Sequence, residues 1–330
     1  MARSIESALL FSVGMSCVLA AGTSGIAQDA DFARSTVAYK MVGELKILAD
    51  VYRPPGEKPV PVVVWIHGGA LINGHREGIS GRVRDYAKGR GFALVSIDYR
   101  LAPETKLPLI LEDVQDAFRW IRGEGARRFH FDTDRIAVTG GSAGGYLTLA
   151  TGYLVKPRPQ ALVAFWGYGD LVGPWYSGPS PHPRHNRVKP TRNEAWQQVS
   201  GPPISDSRDR KGDGGLFYVY CRQTGLWPKN VSGWDPHKEA EQFFPFMPVK
   251  NVSVDWPPTL MIHGTTDTDV PHEQSVMMAR EFQNHKVRHR LISIGNGEHG
   301  LVVGNPDDIA AAYKAAESFL DEHLAERQRD

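Results

Sequence analysis

Cysteine and long apolar runs are scarce in this chain. Only two cysteines occur in 330 residues, and the one extended apolar run lies at the N-terminus. Cys17 falls inside that run, so its removal as a leader would leave Cys221 alone and exclude an intramolecular disulfide. We therefore expect the folded chain to be stabilised by its own hydrophobic core, for which a chain of roughly 300 residues is long enough.

An excess of charge of either sign is also missing. The 38 lysines and arginines nearly balance the 37 aspartates and glutamates, and the net charge is +1. Proteins that bind nucleic acid or an anionic membrane surface usually carry a clear excess of basic residues. The balance of charge therefore argues against both kinds of partner.

The N-terminal residues have the pattern of a secretory signal peptide. Arg3 precedes the apolar run at residues 8–22, and small residues follow as far as Ala27. The run is too short and too interrupted for a typical membrane span, although an uncleaved anchor is the alternative. We expect residues 1–27 to be a signal peptide cleaved near Ala27. The mature chain would then be exported to the periplasm or beyond, with no membrane span.

Strand-like and helix-like segments alternate along the rest of the chain, which predicts an α/β fold with a doubly wound, mostly parallel sheet. The first two strands are expected to form an antiparallel pair. Predicted strands cover residues 36–41, 45–52, 60–66, 92–97, 135–139, 161–165, 259–262 and 288–294, and predicted helices lie near 79–88, 109–122, 273–284 and 308–324.

This alternation stops between residues 166 and 256. The segment is rich in proline, glycine and aromatic residues and contains six of the eight tryptophans. Such a long irregular insertion is usually a binding lid or disordered, and its aromatic content argues against disorder. We therefore interpret residues 166–256 as a cap inserted over the active site of a core formed by residues 28–165 and 257–330.

Residues 140–144 form the most informative motif, Gly-Gly-Ser-Ala-Gly. A G-x-S-x-G sequence between a strand and a helix is typical of the nucleophile elbow of serine hydrolases. The short apolar run at 135–139 and the helix-like residues from 146 onward supply that context. The glycines allow strand and helix to approach closely, so that Ser142, the candidate nucleophile, is held out into a cleft.

A serine nucleophile needs a base, and the base needs a carboxylate. His299 lies in a glycine-flanked loop after the last predicted strand, although a surface histidine in a turn is the alternative. Asp267 follows a predicted strand and precedes a helix, which makes it the candidate acid. Asp269 is its rival, since aspartates are also favoured as helix caps.

An acyl-transfer site also needs backbone N–H groups that bind the oxyanion. The sequence His-Gly-Gly-Ala at residues 67–70 follows the most apolar strand and offers the N–H groups of Gly69 and Ala70. Ala143, at the start of the helix after the elbow, offers a third donor and the positive end of the helix dipole. We interpret His67 as a structural hydrogen-bonding residue.

Together these motifs resemble the α/β-hydrolase fold, and in particular the carboxylesterases of its hormone-sensitive-lipase-like branch. The resemblance covers about residues 47 to 299 except the cap. It rests on the His-Gly-Gly sequence at 67–69, Asp-Tyr-Arg-Leu-Ala-Pro at 98–103, Leu107-Pro108, Asp113-Val114, Trp120-Ile121, and the order Ser142, Asp267, His299.

The resemblance implies a serine esterase without cofactor or metal, in which residues 98–100 support the oxyanion loop. Two positions depart from the family pattern. Ala70 stands where a third glycine is usual, and Gly141 stands where an acidic residue is frequent. The central insertion takes the place of the usual N-terminal helical cap. This arrangement is also similar to exported carbohydrate-ester and feruloyl-type esterases of bacteria, which implies a small-molecule or carbohydrate ester as the substrate.

Three functions remain open. An esterase is favoured, because all members of the candidate triad are present. A peptidase of the prolyl-oligopeptidase kind shares the core and the triad order, but those enzymes carry a large N-terminal propeller for which this chain offers no residues. A non-catalytic binding protein on the same fold usually lacks a member of the triad.

Two groups of cap residues have more than one interpretation. The aromatic residues could line a substrate site or form a small core, and the basic residues could be a solvated face or bind an anionic polysaccharide. Cys221 is interpreted as a small buried apolar residue. The residues are Trp166, Tyr168, Trp175, Tyr176, Trp227 and Trp234 in the first group, and Arg184, Arg187, Lys189, Arg192, Arg208, Arg210 and Lys211 in the second.

Overall fold

Eight strands pair into one sheet in the computed structural model, which describes residues 32–325. The predicted leader, residues 1–27, lies outside the described residues. The strands are β1 Ala33–Val42, β2 Leu45–Arg53, β3 Val60–Ile66, β4 Ala93–Ile97, β5 Phe131–Gly141, β6 Ala161–Phe165, β7 Thr259–Gly264 and β8 His289–Ile294. Their order across the sheet is β1-β2-β4-β3-β5-β6-β7-β8.

The sheet is parallel except at β2, which runs antiparallel to both of its neighbours. The predicted α/β fold class with a mostly parallel sheet is therefore confirmed. The helices are α1 Gly81–Arg90, α2 Leu107–Trp120, α3 Ala126–Phe129, α4 Ala143–Leu154, α5 Pro174–Ser177, α6 Arg192–Gln197, α7 Gly215–Thr224, α8 Trp227–Ser232, α9 Glu273–Asn284 and α10 Pro306–Leu324.

Helices cover both faces of the sheet, which explains why its central strands are apolar without alternation. Val62 and Val64 of β3 belong to the core formed with α2, α4 and α9, whereas Val63 and Trp65 belong to a second core with α1 and α10. All four side chains are buried. No helix within residues 32–325 combines the length and apolar character needed to cross a membrane.

The segment between β6 and β7 contains the short helices α5 to α8. Three of its aromatic residues form a buried cluster, in which Tyr176 stacks on Trp227 and both pack edge-on against Tyr168. These three side chains are at most 2% exposed, so they form a core for the segment and do not line an open site. Cys221 is also fully buried there, and burial raises the pKa of its thiol to about 12.

The elbow depends on close contact between backbones. A Cβ atom at Gly144 would overlap the carbonyl oxygen of Ile66, and one at Gly140 would lie 2.5 Å from the same oxygen. Only glycine permits this approach, because any side chain would push α4 away from β3. These contacts therefore fix the position of the turn that contains Ser142.

We expect Gly144→Ala to lower the free energy of unfolding by about 1–3 kcal/mol, since the added methyl group overlaps the backbone of β3. Gly89→Ala is the matched control, because a Cβ at Gly89 in α1 would meet no atom within 4 Å. The control should be neutral or slightly stabilising. Urea unfolding followed by circular dichroism measures both, and equal stabilities of the two variants would contradict the steric explanation.

Candidate active site

Ser142 lies at the turn between β5 and α4. Its backbone has φ +59° and ψ −122°, a conformation that residues with a side chain rarely adopt. The serine N–H donates to the carbonyl of Phe165 at the end of β6 over 3.0 Å, which ties the turn to the neighbouring strand. The structure thus holds Ser142 in the strained geometry of a nucleophile elbow.

The His299 imidazole lies between Ser142 and Asp267. Its Nε2 atom is 3.1 Å from the Ser142 Oγ, and its Nδ1 atom is 2.8 Å from the Asp267 Oδ2. His299 follows β8 and Asp267 follows β7, so two adjacent strand ends place the two side chains. The structure therefore brings all three candidate triad residues into one hydrogen-bonded chain.

Asp267 is buried but well supplied with donors. Its Oδ1 atom accepts the N–H groups of Asp269 and Val270 over 2.9 and 2.8 Å, and the Nε2 atom of His263 is 3.4 Å from its Oδ2. Burial by itself raises the pKa of this carboxyl. The contact with His263 and the hydrogen bond with His299 outweigh burial and hold the pKa of Asp267 well below its usual range. The group is therefore ionised, as an acid that orients an imidazole must be.

Asp269, the rival acid, has a different role in the structure. Its Oδ2 atom is 3.8 Å from the Nε2 of His299, the nitrogen that faces Ser142, which is longer than the 2.8 Å between Nδ1 and the Asp267 Oδ2. Its carboxylate forms an ion pair with Arg184, lies 3.4 Å from Arg222 and accepts the hydroxyl of Tyr218 over 3.1 Å. Asp269 therefore joins the cap to the loop that contains Asp267.

The loop at residues 67–70 lies directly against the elbow. A Cβ built on Gly68 would be 3.4 Å from the Cβ of Ser142. Within residues 32–325, no protein acceptor takes a hydrogen bond from the N–H of Gly69, Ala70 or Ala143. All three candidate donors are thus available to an oxyanion beside the serine.

Tyr99 supports this loop through its ring and its hydroxyl group. The tyrosine ring stacks on the imidazole of His67 with 4.3 Å between centroids, and its hydroxyl donates to the His67 carbonyl over 3.0 Å. Burial lowers the pKa of His67 to about 4, so the imidazole is neutral at pH 7. These contacts give His67 and Tyr99 the structural roles expected of them. Arg100 instead forms an ion pair with Asp113 of α2.

Sequence reasoning missed two side chains that hold the triad loops together. The carboxylate of Glu298 accepts the N–H groups of Thr268 and His299, over 2.6 and 2.9 Å, and the Thr268 hydroxyl. The imidazole of His263 hydrogen bonds to Ser275 and contacts Asp267. The position of Glu298 next to His299 was the only available signal, since neither contact follows a spacing rule.

Several basic cap residues form ion pairs with carboxylates of the core. Arg208 contacts Glu77, and Arg210 contacts Glu104. Together with the pair formed by Arg184, these contacts attach the cap to the core and neutralise part of the positive charge of the cap.

Within the described residues, no group of three histidine, cysteine, aspartate or glutamate side chains is arranged to hold a metal ion.

Two protein families match different parts of the chain. The BD-FAE family matches residues 49–161, which include the oxyanion loop and the elbow. The Prolyl oligopeptidase family matches residues 213–327, which include Asp267 and His299. Each match covers about a third of the chain, and together they cover every candidate site residue.

Individual relatives are similar to this chain over different shares of its length. The chain is 28% identical to the non-reducing polyketide synthase pkbA of Emericella nidulans over 83% of its own length, but spans only 13% of that protein. It is 42% identical to Esterase LipI of Mycobacterium tuberculosis over 29% of this chain and 30% of LipI. An alpha/beta hydrolase superfamily protein from Enterococcus faecalis has a similar solved structure, with a TM-score of 0.69, 22% identity, and coverage of 88% of this chain and 99% of that one. The chain therefore has the fold of an α/β hydrolase, and part of its sequence is similar to that of a known esterase.

Proposed function

We propose that this protein is a serine carboxylesterase that cleaves esters through an acyl-enzyme intermediate. The observation that carries the proposal is the hydrogen-bonded chain from Ser142 through His299 to Asp267, with distances of 3.1 and 2.8 Å. Within the described residues, the N–H groups of Gly69, Ala70 and Ala143 have no protein acceptor, which supports their proposed role as donors to the negative oxygen of a tetrahedral intermediate. The match to BD-FAE and the similarity to LipI favour an ester over other acyl substrates.

In the first half of the reaction, the Nε2 of His299 takes the proton of Ser142 as the Oγ atom attacks the ester carbonyl carbon. The carbonyl oxygen becomes an oxyanion and accepts hydrogen bonds from Gly69, Ala70 and Ala143. His299 then gives its proton to the departing alkoxide, and the alcohol leaves. The serine remains as an acyl ester.

In the second half, water takes the place of the alcohol. His299 removes a proton from the water as its oxygen attacks the acyl carbon, and the same N–H groups bind the new oxyanion. The proton returns to Ser142, and the carboxylic acid is released. Asp267 remains ionised throughout and stabilises the imidazolium that forms at each step. A small-molecule or carbohydrate ester is the substrate we propose.

A peptidase is the second candidate, because the Prolyl oligopeptidase family matches the part of the chain that contains Asp267 and His299. The same triad can cleave amides, so geometry alone does not separate the two activities. Whether the protein cleaves esters or amides depends on which substrate the cap admits to the site.

The first prediction from the proposed function concerns the nucleophile and the base. Ser142→Ala and His299→Ala should each lower kcat for p-nitrophenyl acetate by about 10⁴-fold or more, because the attacking oxygen or its proton acceptor is lost. The purified wild-type protein should react with a fluorophosphonate probe, and the Ser142→Ala variant should not. Absence of labelling in the wild-type protein would favour a non-catalytic binding protein.

The second prediction concerns the acid. Asp267→Asn should lower kcat by about 10³–10⁴-fold, because the amide no longer fixes the tautomer of His299. Asp269→Asn should lower kcat by less than about tenfold, since the carboxylate of Asp269 forms its hydrogen bonds with cap residues. Steady-state kinetics of the two variants provide the comparison. A larger loss in Asp269→Asn would show that the acid is wrongly assigned.

The third prediction separates the two enzyme classes. The protein should hydrolyse short p-nitrophenyl esters and leave proline-containing peptide amides intact. Acetylated xylan and feruloyl esters should be assayed in parallel, because they test the carbohydrate esters in the proposal. Cleavage of the amides without cleavage of any ester would support the peptidase.

A further inference from the structure

We propose that Trp227 of the cap is a positioning residue that holds the oxyanion loop in the conformation needed for catalysis. The inference rests on the proposed function, since it assigns a task to a side chain that touches none of the reacting atoms. Its evidence is the backbone conformation of residues 69–71 and one buried hydrogen bond.

The oxyanion loop has an unfavourable backbone conformation. Gly69, Ala70 and Leu71 have φ values of +105°, +57° and +61° in succession. Glycine adopts positive φ freely, but alanine and leucine do so at a cost, because Cβ approaches the backbone carbonyl oxygen. Two consecutive residues of this kind persist only when their surroundings hold them in place.

Hydrogen bonds to the carbonyl groups of residues 69–71 hold the loop in this conformation. Gly69 accepts the N–H groups of Ile72 and Asn73, over 2.9 and 2.8 Å, and Leu71 accepts the N–H of Ala102 over 2.8 Å. The Ala70 carbonyl between them accepts the indole Nε1–H of Trp227 over 2.9 Å. Of these acceptors, Ala70 is therefore the one held by a side chain, and that side chain belongs to the cap.

Ala70 is also the residue whose backbone matters most for the oxyanion. Its N–H is one of the free donors beside Ser142, and its carbonyl is on the other side of the same Cα atom. The carbonyl and the N–H belong to two adjacent peptide planes that meet at this Cα atom. A hydrogen bond that fixes the plane of the carbonyl helps to hold Ala70 at its positive φ, and this φ sets the direction of the N–H. The hydrogen bond from Trp227 thereby acts on an oxyanion donor through one residue.

Trp227 can perform this task because its indole ring is fixed. The side chain is fully buried, and its ring stacks on Tyr176 with 3.8 Å between centroids and an interplanar angle of 12°. The carbonyl of Ala70 is buried with it, so loss of the indole donor would leave a polar atom without a partner. A preorganised donor of this kind needs no rearrangement when substrate binds.

The test combines three variants of the full chain. Trp227→Phe keeps an aromatic ring over Tyr176 but removes the N–H, and we expect kcat for p-nitrophenyl acetate to fall by about 10- to 100-fold, with KM changed less than twofold. Adding Ala70→Gly should recover most of the loss, because glycine adopts positive φ without help. Trp196→Phe is the matched control, since this cap tryptophan packs on Phe217, and it should retain wild-type kcat.

Replacement of Trp227 by benzothienylalanine tests the role of the indole N–H a second time, even if Trp227→Phe fails to fold. This residue has the shape of tryptophan, with sulfur in place of the N–H, so the packing on Tyr176 is kept. It should lower kcat to the same extent as Trp227→Phe. Circular dichroism of each variant shows whether the fold is retained.

The outcomes are distinct from those of the proposed function. A wild-type kcat in the benzothienylalanine variant, or a loss that Ala70→Gly does not recover, would overturn the role of Trp227 while leaving the esterase intact. A wild-type protein that neither hydrolyses esters nor reacts with the fluorophosphonate probe would overturn both proposals.

Discussion

The contact between the backbones of β3 and the elbow is the constraint on which the candidate site depends. Because Gly140 and Gly144 admit the Ile66 carbonyl at close range, the end of β3 and the start of α4 lie side by side. The oxyanion loop follows β3 directly, so it must lie next to Ser142. The strands β6, β7 and β8 continue the parallel part of the sheet beyond β5. The loops after β7 and β8 then place Asp267 and His299 close to the serine. Sheet order thus determines which loops can meet.

Burial of two carboxylates close to one imidazole would destabilise the fold unless each carboxylate had its own hydrogen-bond donors or cations. The structure divides the donors between them. Asp267 is satisfied within the core, by backbone N–H groups and by His263 and His299. Asp269 is satisfied by Arg184 and by other cap side chains. Two residues that are nearly adjacent in sequence therefore serve different parts of the molecule, and one of them makes the cap part of the electrostatic environment of the triad.

The parts of the structure that sequence predicts are those with local signals. Buried strands such as β3 are continuous apolar runs, and α2 has a clear apolar face, so the sheet and its main helices follow from pattern. The cap does not, because three of its four helices, α5, α6 and α8, are four to six residues long and too short to show periodicity. The same holds within the site. Ser142 lies in a recognisable motif, whereas the bond from Trp227 to Ala70 joins residues 157 positions apart.

The two departures from the family pattern each have a tryptophan beside them. A Cβ at Gly141 would lie 3.1 Å from the indole of Trp166, so a side chain at this position would require the indole to shift. Ala70 stands where a glycine is usual, and the indole of Trp227 contacts its carbonyl. A change of cap therefore affects the elbow and the oxyanion loop directly. The inserted segment and the core are better understood as one structural unit than as a common core with an independent lid.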